Sequence, residues 1–201
     1  MVAIRFALLL SALVSSGSAF TPTGSSSAPS TQRSGATRLN MAADEVKVGD
    51  TLPSVVLQEG QPDYGAPKAV DLAELIKGKK VAIFAVPGAF TPGCSKSHLP
   101  SFIDAQDELK EKGVEMTICI ATNDAFVMEA WGRSSGGSDA GIVFLSDPTA
   151  ELSEKLGLVM DGFMKRTKRF SLIAEDGVVT HYFSSAEQSS DTWAPAVLSK
   201  L

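Results

Sequence analysis

Cys94 is one of only two cysteines in the 201-residue chain, and it closes the stretch Pro87-Gly88-Ala89-Phe90-Thr91-Pro92-Gly93-Cys94. The run before it, Val81-Ala82-Ile83-Phe84-Ala85-Val86, is short and continuously apolar, as a central strand covered on both faces should be. Two prolines and two glycines then stop it. Beyond Cys94, the positions Leu99, Phe102, Ile103, Gln106 and Leu109 fall at mostly helical spacing, which predicts a helix whose first turn carries the thiol. Unpaired N–H groups and the positive end of a helix dipole favour a thiolate at neutral pH. A lone cysteine is ordinarily a buried, inert hydrophobe; the helix-start setting and the flanking prolines argue here for a reactive one. A dithiol relay needs Cys-x-x-Cys, and the place of its other sulfur is held by Thr91. A hydroxyl there can donate to or accept from an oxygen atom of a substrate.

Pro-x-x-x-Thr-x-x-Cys, written here as Pro87, Thr91 and Cys94, resembles the active-site signature of the peroxiredoxins, and the type II, peroxiredoxin-five-like group in particular. The similarity continues through Ser95-Lys96-Ser97-His98-Leu99-Pro100, Asn123 to Gly132 and Lys168-Arg169-Phe170-Ser171, and covers residues 45 to 201. The resemblance implies a thiol-dependent peroxidase that reduces hydrogen peroxide and organic hydroperoxides. Cys94 would be the peroxidatic thiolate, oxidised to sulfenic acid. Thr91 would bind the peroxide with help from the Cys94 N–H, Arg169 would hold the thiolate and the leaving oxygen, and Pro87 would shield the sulfur from water. Arg169 alone is carried over from the basic run 165–169, whose other cations read as a solvated face. No cofactor is implied. The expected partners are hydroperoxide substrates, glutaredoxin, thioredoxin or glutathione as reductant, and a second copy of the chain in a homodimer.

Cys119 follows Cys94 by 25 residues, within Glu115 to Ala121, a second buried-strand pattern. Plant type II members carry a resolving cysteine at this place, so the resemblance makes Cys119 a candidate resolving thiol; the other reading is a plain core thiol. The choice turns on a separation of roughly 7 Å or less between the two Cα atoms. His98, four residues after Cys94, makes a poor metal ligand without further ligands nearby and reads as structural or as support behind the site; no metal site is expected. His181 reads as an ordinary strand residue. Two further function classes stay open: a thiol–disulfide relay on the same fold, disfavoured by Thr91, and a peroxide sensor whose oxidation alters a partner surface.

The elements that must position these residues suggest an α/β, thioredoxin-like fold with a central mixed sheet flanked by helices. The strand at 81–86 leads into the Cys94 helix, kinked at Pro100, and then to the Cys119 strand. Asn123-Asp124 is expected to cap a helix with Phe126, Val127, Ala130 and Trp131 facing the core. Ile142 to Leu145 forms a strand, and Asp147-Pro148 caps and opens a helix carrying Leu152 and Leu156. Phe170–Ala174 and Val178–Phe183 flank the hairpin turn Asp176-Gly177. A last helix is expected to open at Asp191.

The front of the chain reads separately. Arg5 followed by the apolar run Phe6 to Val14 and the small-x-small Gly17-Ser18-Ala19 describes a signal peptide over 1–19, too short to span a membrane. Residues 20–40 are Ser/Thr-rich with Arg and no acidic residue, the composition of a transit peptide. The junction Ala19-Phe20 resembles the bipartite leaders of algae with complex plastids. A peroxiredoxin domain then occupies 41–201. The tripeptide Ser199-Lys200-Leu201 has the form of a peroxisomal address, so translation from Met41 is the alternative route, to peroxisome or cytosol. Residues 41–201 keep 15 of the 18 basic residues and all 23 acidic ones, a net charge of −8, which argues against nucleic acid. No membrane association is expected of this mature form.

Overall fold

A computed structural model describes residues 43–160 and 162–201. The expected signal peptide, transit peptide and Met41 start lie outside the described residues. In chain order the elements are β1 Val56–Glu59, β2 Lys68–Asp71, α1 Leu72–Ile76, β3 Lys80–Ala85, a π-helical turn Cys94–His98, α2 Leu99–Asp104, α3 Gln106–Glu111, β4 Met116–Ala121, α4 Ala125–Ser134, β5 Ile142–Ser146, α5 Glu151–Lys155, β6 Val159–Met160, β7 Arg166–Thr167, β8 Phe170–Glu175, β9 Val178–Ser184 and α6 Ala194–Leu198.

Seven strands form one sheet in the order β2-β1-β5-β4-β3-β8-β9, with β3, β4 and β5 parallel and the outer strands antiparallel to their neighbours. The continuous apolar run of β3 has its explanation here. Val81, Ile83 and Ala85 join a core that includes Leu72 and Ile76 of α1 and Leu152 of α5. Ala82 and Phe84 face the opposite core with Cys94, Leu99, Phe102, Leu109, Cys119, Met128 and Trp131. A strand covered on both faces cannot alternate in polarity, only in which core each residue enters. This is the expected mixed sheet between helical layers.

Several local expectations shift. The Pro100 kink takes the form of a wide turn: Leu99 N–H donates to the Cys94 carbonyl across five residues, and Pro100 sits in the first turn of α2, where its missing N–H costs least. Asp124 caps α4, its carboxylate accepting from Val127 N at 2.9 Å. The buried face of α4 is Ala125, Met128, Trp131 and Gly132, with Val127 partly buried against the same core; of the expected core-facing residues Phe126 is instead exposed. Asp147 caps α5 from a distance, accepting from Leu152 N, Ser153 N and Ser153 Oγ at 3.2, 3.0 and 2.8 Å. Between them Pro148 stays outside the helix and Ala150 turns through a left-handed conformation with φ 59°. Asp191 lies in a short 3-10 turn, Ser189–Thr192, and the last helix opens only at Ala194 with Pro195 behind it. The Asp176-Gly177 hairpin turn forms as expected, with φ 48° and 78°.

Candidate active site

Two neighbouring strands build the site. The loop carrying Cys94 leaves the C-terminal end of β3, and Arg169 stands just before β8, which runs antiparallel to β3 with Ala85 opposite Phe170. The register therefore delivers a residue from position 169 to the place where the 87–94 loop begins. Arg169 Nη2 donates to Cys94 Sγ at 3.2 Å. Gly93 lies alongside, where a Cβ would stand in ordinary contact with Nη2 at 3.5 Å.

Cys94 is 1 % exposed. Thr91 folds back on the loop, its hydroxyl donating to the Gly88 carbonyl at 2.8 Å, and Ser95 N–H donates to the Thr91 carbonyl at 2.9 Å. Phe90, 58 % exposed, adopts φ 58°, a left-handed conformation that costs a non-glycine residue about 1 kcal/mol. Asn123 holds the strained loop, Oδ1 accepting from Ala89 N at 2.9 Å. Gly88 admits both the Arg166 guanidinium and the Thr91 methyl, which a Cβ would meet at 3.1 and 3.2 Å. Pro87, Arg169, Met160, Tyr182 and Ala186 line a groove of about 440 Å³ beside the sulfur's loop. At its rim Glu45 accepts from the Tyr182 hydroxyl at 2.6 Å and from Lys168 Nζ at 3.1 Å. The Tyr182 hydrogen bond, followed by Lys168, lowers the Glu45 pKa, and burial together with Glu45 raises that of Tyr182.

His98 is fully buried, with Nδ1 2.9 Å from Arg169 Nη1 and Nε2 2.9 Å from the Thr192 carbonyl. Burial, then the Arg169 charge, brings its pKa down to about 3, so the ring is neutral. Cys119 is also fully buried, paired with Phe84 of β3 and Phe144 of β5. Burial above all, with Cys94 next, pushes its thiol pKa well up. Both cysteines are free and enter the same core.

Cys94, Thr91, Pro87 and Arg169 thus surround one loop, and Cys119 lies in the core they share. Three contributors were not singled out from sequence: Asn123 as the tie on the loop, Ser95 Oγ as acceptor from Trp131 Nε1 at 3.1 Å, and the Thr192 carbonyl. Only the Asn123-Asp124 pair carried a signal, read as a cap. Together the groups offer a sulfur nucleophile with a fixed cation, a hydroxyl with free lone pairs and limited access for solvent, which suits attack on a small two-oxygen substrate.

The family model described as Redoxin matches residues 47–197. Peroxiredoxin-2E-2, chloroplastic, of Oryza sativa subsp. japonica is 48% identical over 140 residues, which span 67% of this chain and 62% of that protein. The solved structure of reduced Prx3 from Vibrio vulnificus in complex with hydrogen peroxide superposes with TM-score 0.71 at 37% identity, covering 78% of this chain and 99% of that one. Peroxiredoxin 5 from Alvinella pompejana superposes with TM-score 0.66 at 27% identity over 78% of this chain and 99% of its own. With the thioredoxin-like sheet and the Pro87–Thr91–Cys94 loop in place, these likenesses make the chain a member of the redoxin family, a type II, peroxiredoxin-five-like peroxiredoxin.

Proposed function

We propose that Cys94 is the peroxidatic nucleophile of a hydroperoxide reductase. Its thiolate attacks one oxygen of the peroxide; the S–O bond forms as the O–O bond breaks, and the departing hydroxide or alkoxide takes up a proton to leave as water or alcohol. The observation that carries this reading is the 3.2 Å donation from Arg169 Nη2 to Sγ, which places a permanent cation where negative charge moves from sulfur to oxygen. Because the Thr91 hydroxyl gives its proton to Gly88, its lone pairs are left to accept the O–H of the bound peroxide. Pro87 shields the loop. Steady-state consumption of hydrogen peroxide and of an alkyl hydroperoxide, with a regenerating thiol, tests the assignment: Cys94→Ser abolishes turnover, and persistence of activity in that variant would overturn it.

Cys119 is the candidate resolving thiol. Its place in the Cys94 core supports this reading, and its high pKa makes it a slow nucleophile until the π-helical turn opens. Running the assay with thioredoxin, glutaredoxin and glutathione in turn identifies the reductant. The exposed rings of Phe90 and Phe126 support a homodimer packed near the active-site loop, which sedimentation checks. The chloroplastic rice relative and the Ser/Thr-rich leader support a plastid destination; imaging the full-length chain, and the 41–201 chain tagged at its N-terminus, separates plastid from peroxisome and cytosol.

A further inference from the structure

The assignment of Arg169 leaves open what holds its guanidinium. Arginine has five donors and no acceptor, so both of its contacts, to Cys94 Sγ at 3.2 Å and to His98 Nδ1 at 2.9 Å, are donations. Nδ1 of His98 therefore carries no proton. The ring proton sits on Nε2, which donates to the Thr192 carbonyl at 2.9 Å, a group that can only accept. Ser171 Oγ donates to the same carbonyl at 2.6 Å and lies 3.4 Å from Nε2.

The ring has little freedom. Phe84 of β3 and Phe102 of α2 flank it with centroids 5.1 and 5.6 Å away. The Thr192 carbonyl is set by the turn before α6, and Ala194 N–H donates to Ser101 Oγ, which in turn donates to the His98 carbonyl. Among the described residues, β3 and α2 present aromatic rings to the imidazole, β8 presents Ser171 and the 189–192 turn a carbonyl; Arg169 is the charged group it meets.

Resting on the reading of Cys94 and Arg169 as the peroxidatic pair, we infer that His98 is the positioning residue for Arg169: its unprotonated Nδ1 fixes the guanidinium against Cys94 without sharing its charge. A carboxylate at this place would hold the fork equally well but would neutralise it. A neutral acceptor leaves the whole positive charge for the thiolate and the departing oxygen. The pKa of about 3 agrees with a ring that stays neutral throughout the working range. The chain of contacts runs from the turn before α6, through His98 and Arg169, to the sulfur.

Two isosteric substitutions separate the functions of the two ring nitrogens. His98→Asn keeps an acceptor near the Nδ1 position and loses the donor to Thr192; His98→Gln keeps a donor near Nε2 and loses the acceptor for Arg169. The second-order rate constant for hydrogen peroxide is expected to fall about 100-fold in His98→Gln, the scale of a small misplacement of a catalytic group, and to stay within about 5-fold of wild type in His98→Asn. Equal rates in the two variants, or a faster His98→Gln, overturn the inference. Should either variant fail to fold, two-bond ¹H–¹⁵N spectra of the wild-type protein decide: Nε2–H with a bare Nδ1 between about pH 5 and 8 is expected, and a proton on Nδ1 overturns it. Cys94→Ser is measured alongside. Turnover in that variant defeats the peroxidatic reading itself, whereas an inactive Cys94→Ser with equal His98 variants defeats only the role of His98.

Discussion

Arg169 Nη2 lies 3.2 Å from Cys94 Sγ although 75 residues separate the two along the chain. The antiparallel pairing of β8 with β3 makes the contact, and the planar guanidinium reaches His98 with its other terminal nitrogen. Lysine is a point charge and cannot span both partners. Arg169→Lys is expected to lower the peroxide rate constant by about 100- to 1000-fold with little change in melting temperature. Stopped-flow fluorescence reads the rate, and a near-wild-type value would remove Arg169 from the mechanism.

Thr91 gives its hydroxyl proton to Gly88 and keeps its lone pairs. Thr91→Val preserves shape and removes both features; it is expected to lose about 100-fold or more in peroxide rate and about 1 kcal/mol of stability. Thr91→Ser is expected to retain most activity. If the serine variant fell as far as the valine variant, the methyl group and not the hydroxyl would be the important part of this side chain.

His98 sets an acid limit on stability. Unfolded, it takes up a proton near its ordinary 6.5, while folded it does so only at about 3, so between these values the unfolded state binds more protons. Stability is complete above pH 6.5 and falls as pH drops toward 3, by up to about 1.4 kcal/mol per pH unit. Urea melts between about pH 5 and 6.5 isolate this contribution from Glu45, whose lowered pKa acts only at more acid pH. His98→Gln flattens the slope; an unchanged slope would place the titrating group elsewhere.

Trp131 Nε1 donates to Ser95 Oγ, the residue after Cys94, at 3.1 Å. Its buried indole is therefore a reporter of the π-helical turn. In a Trp193→Phe background, one equivalent of peroxide is expected to shift emission to the red if Cys94 leaves its turn to pair with Cys119. Cys119→Ser is expected to spare the first oxidation and abolish that shift. One free thiol remaining after oxidation, with a sulfenic-acid trap attached to Cys94, would exclude an internal disulfide.

Gly60 meets α4 at the end of β1, where a Cβ would lie 2.2 Å from the Ala125 carbonyl oxygen and 2.5 Å from Glu129 Cβ. Neither backbone nor a packed helix can yield that far. Gly60→Ala is expected to destabilise by about 2 kcal/mol or more, read by denaturant melts, with a small effect on the peroxide rate per folded molecule.

The strands and the thiol were legible because their signals are local. Val81 to Val86 announces a two-sided strand by its unbroken apolarity, and Asp176-Gly177 announces a hairpin by the positive φ it must adopt. Helix faces were harder to read. In α4 apolar residues occupy more than one side, and although the helix starts after its expected Asp124 cap, Trp131 faces the core while Phe126 faces outward. Asp147 capped α5 across an intervening turn, a distance that local spacing does not encode.

The amino-acid order alone determined that a thiol would stand at a strand-to-helix junction with a hydroxyl three residues before it, because proline, glycine and the apolar periods act within a few residues. Tertiary structure alone decided what surrounds the sulfur. The Arg169 fork, the tautomer of His98 and the carbonyl of Thr192 converge on it from β8, the π-helical turn and the C-terminal segment. Their donors and acceptors match only once the sheet register brings them within 3.2 Å of one another, and register is a property of paired strands, not of either one.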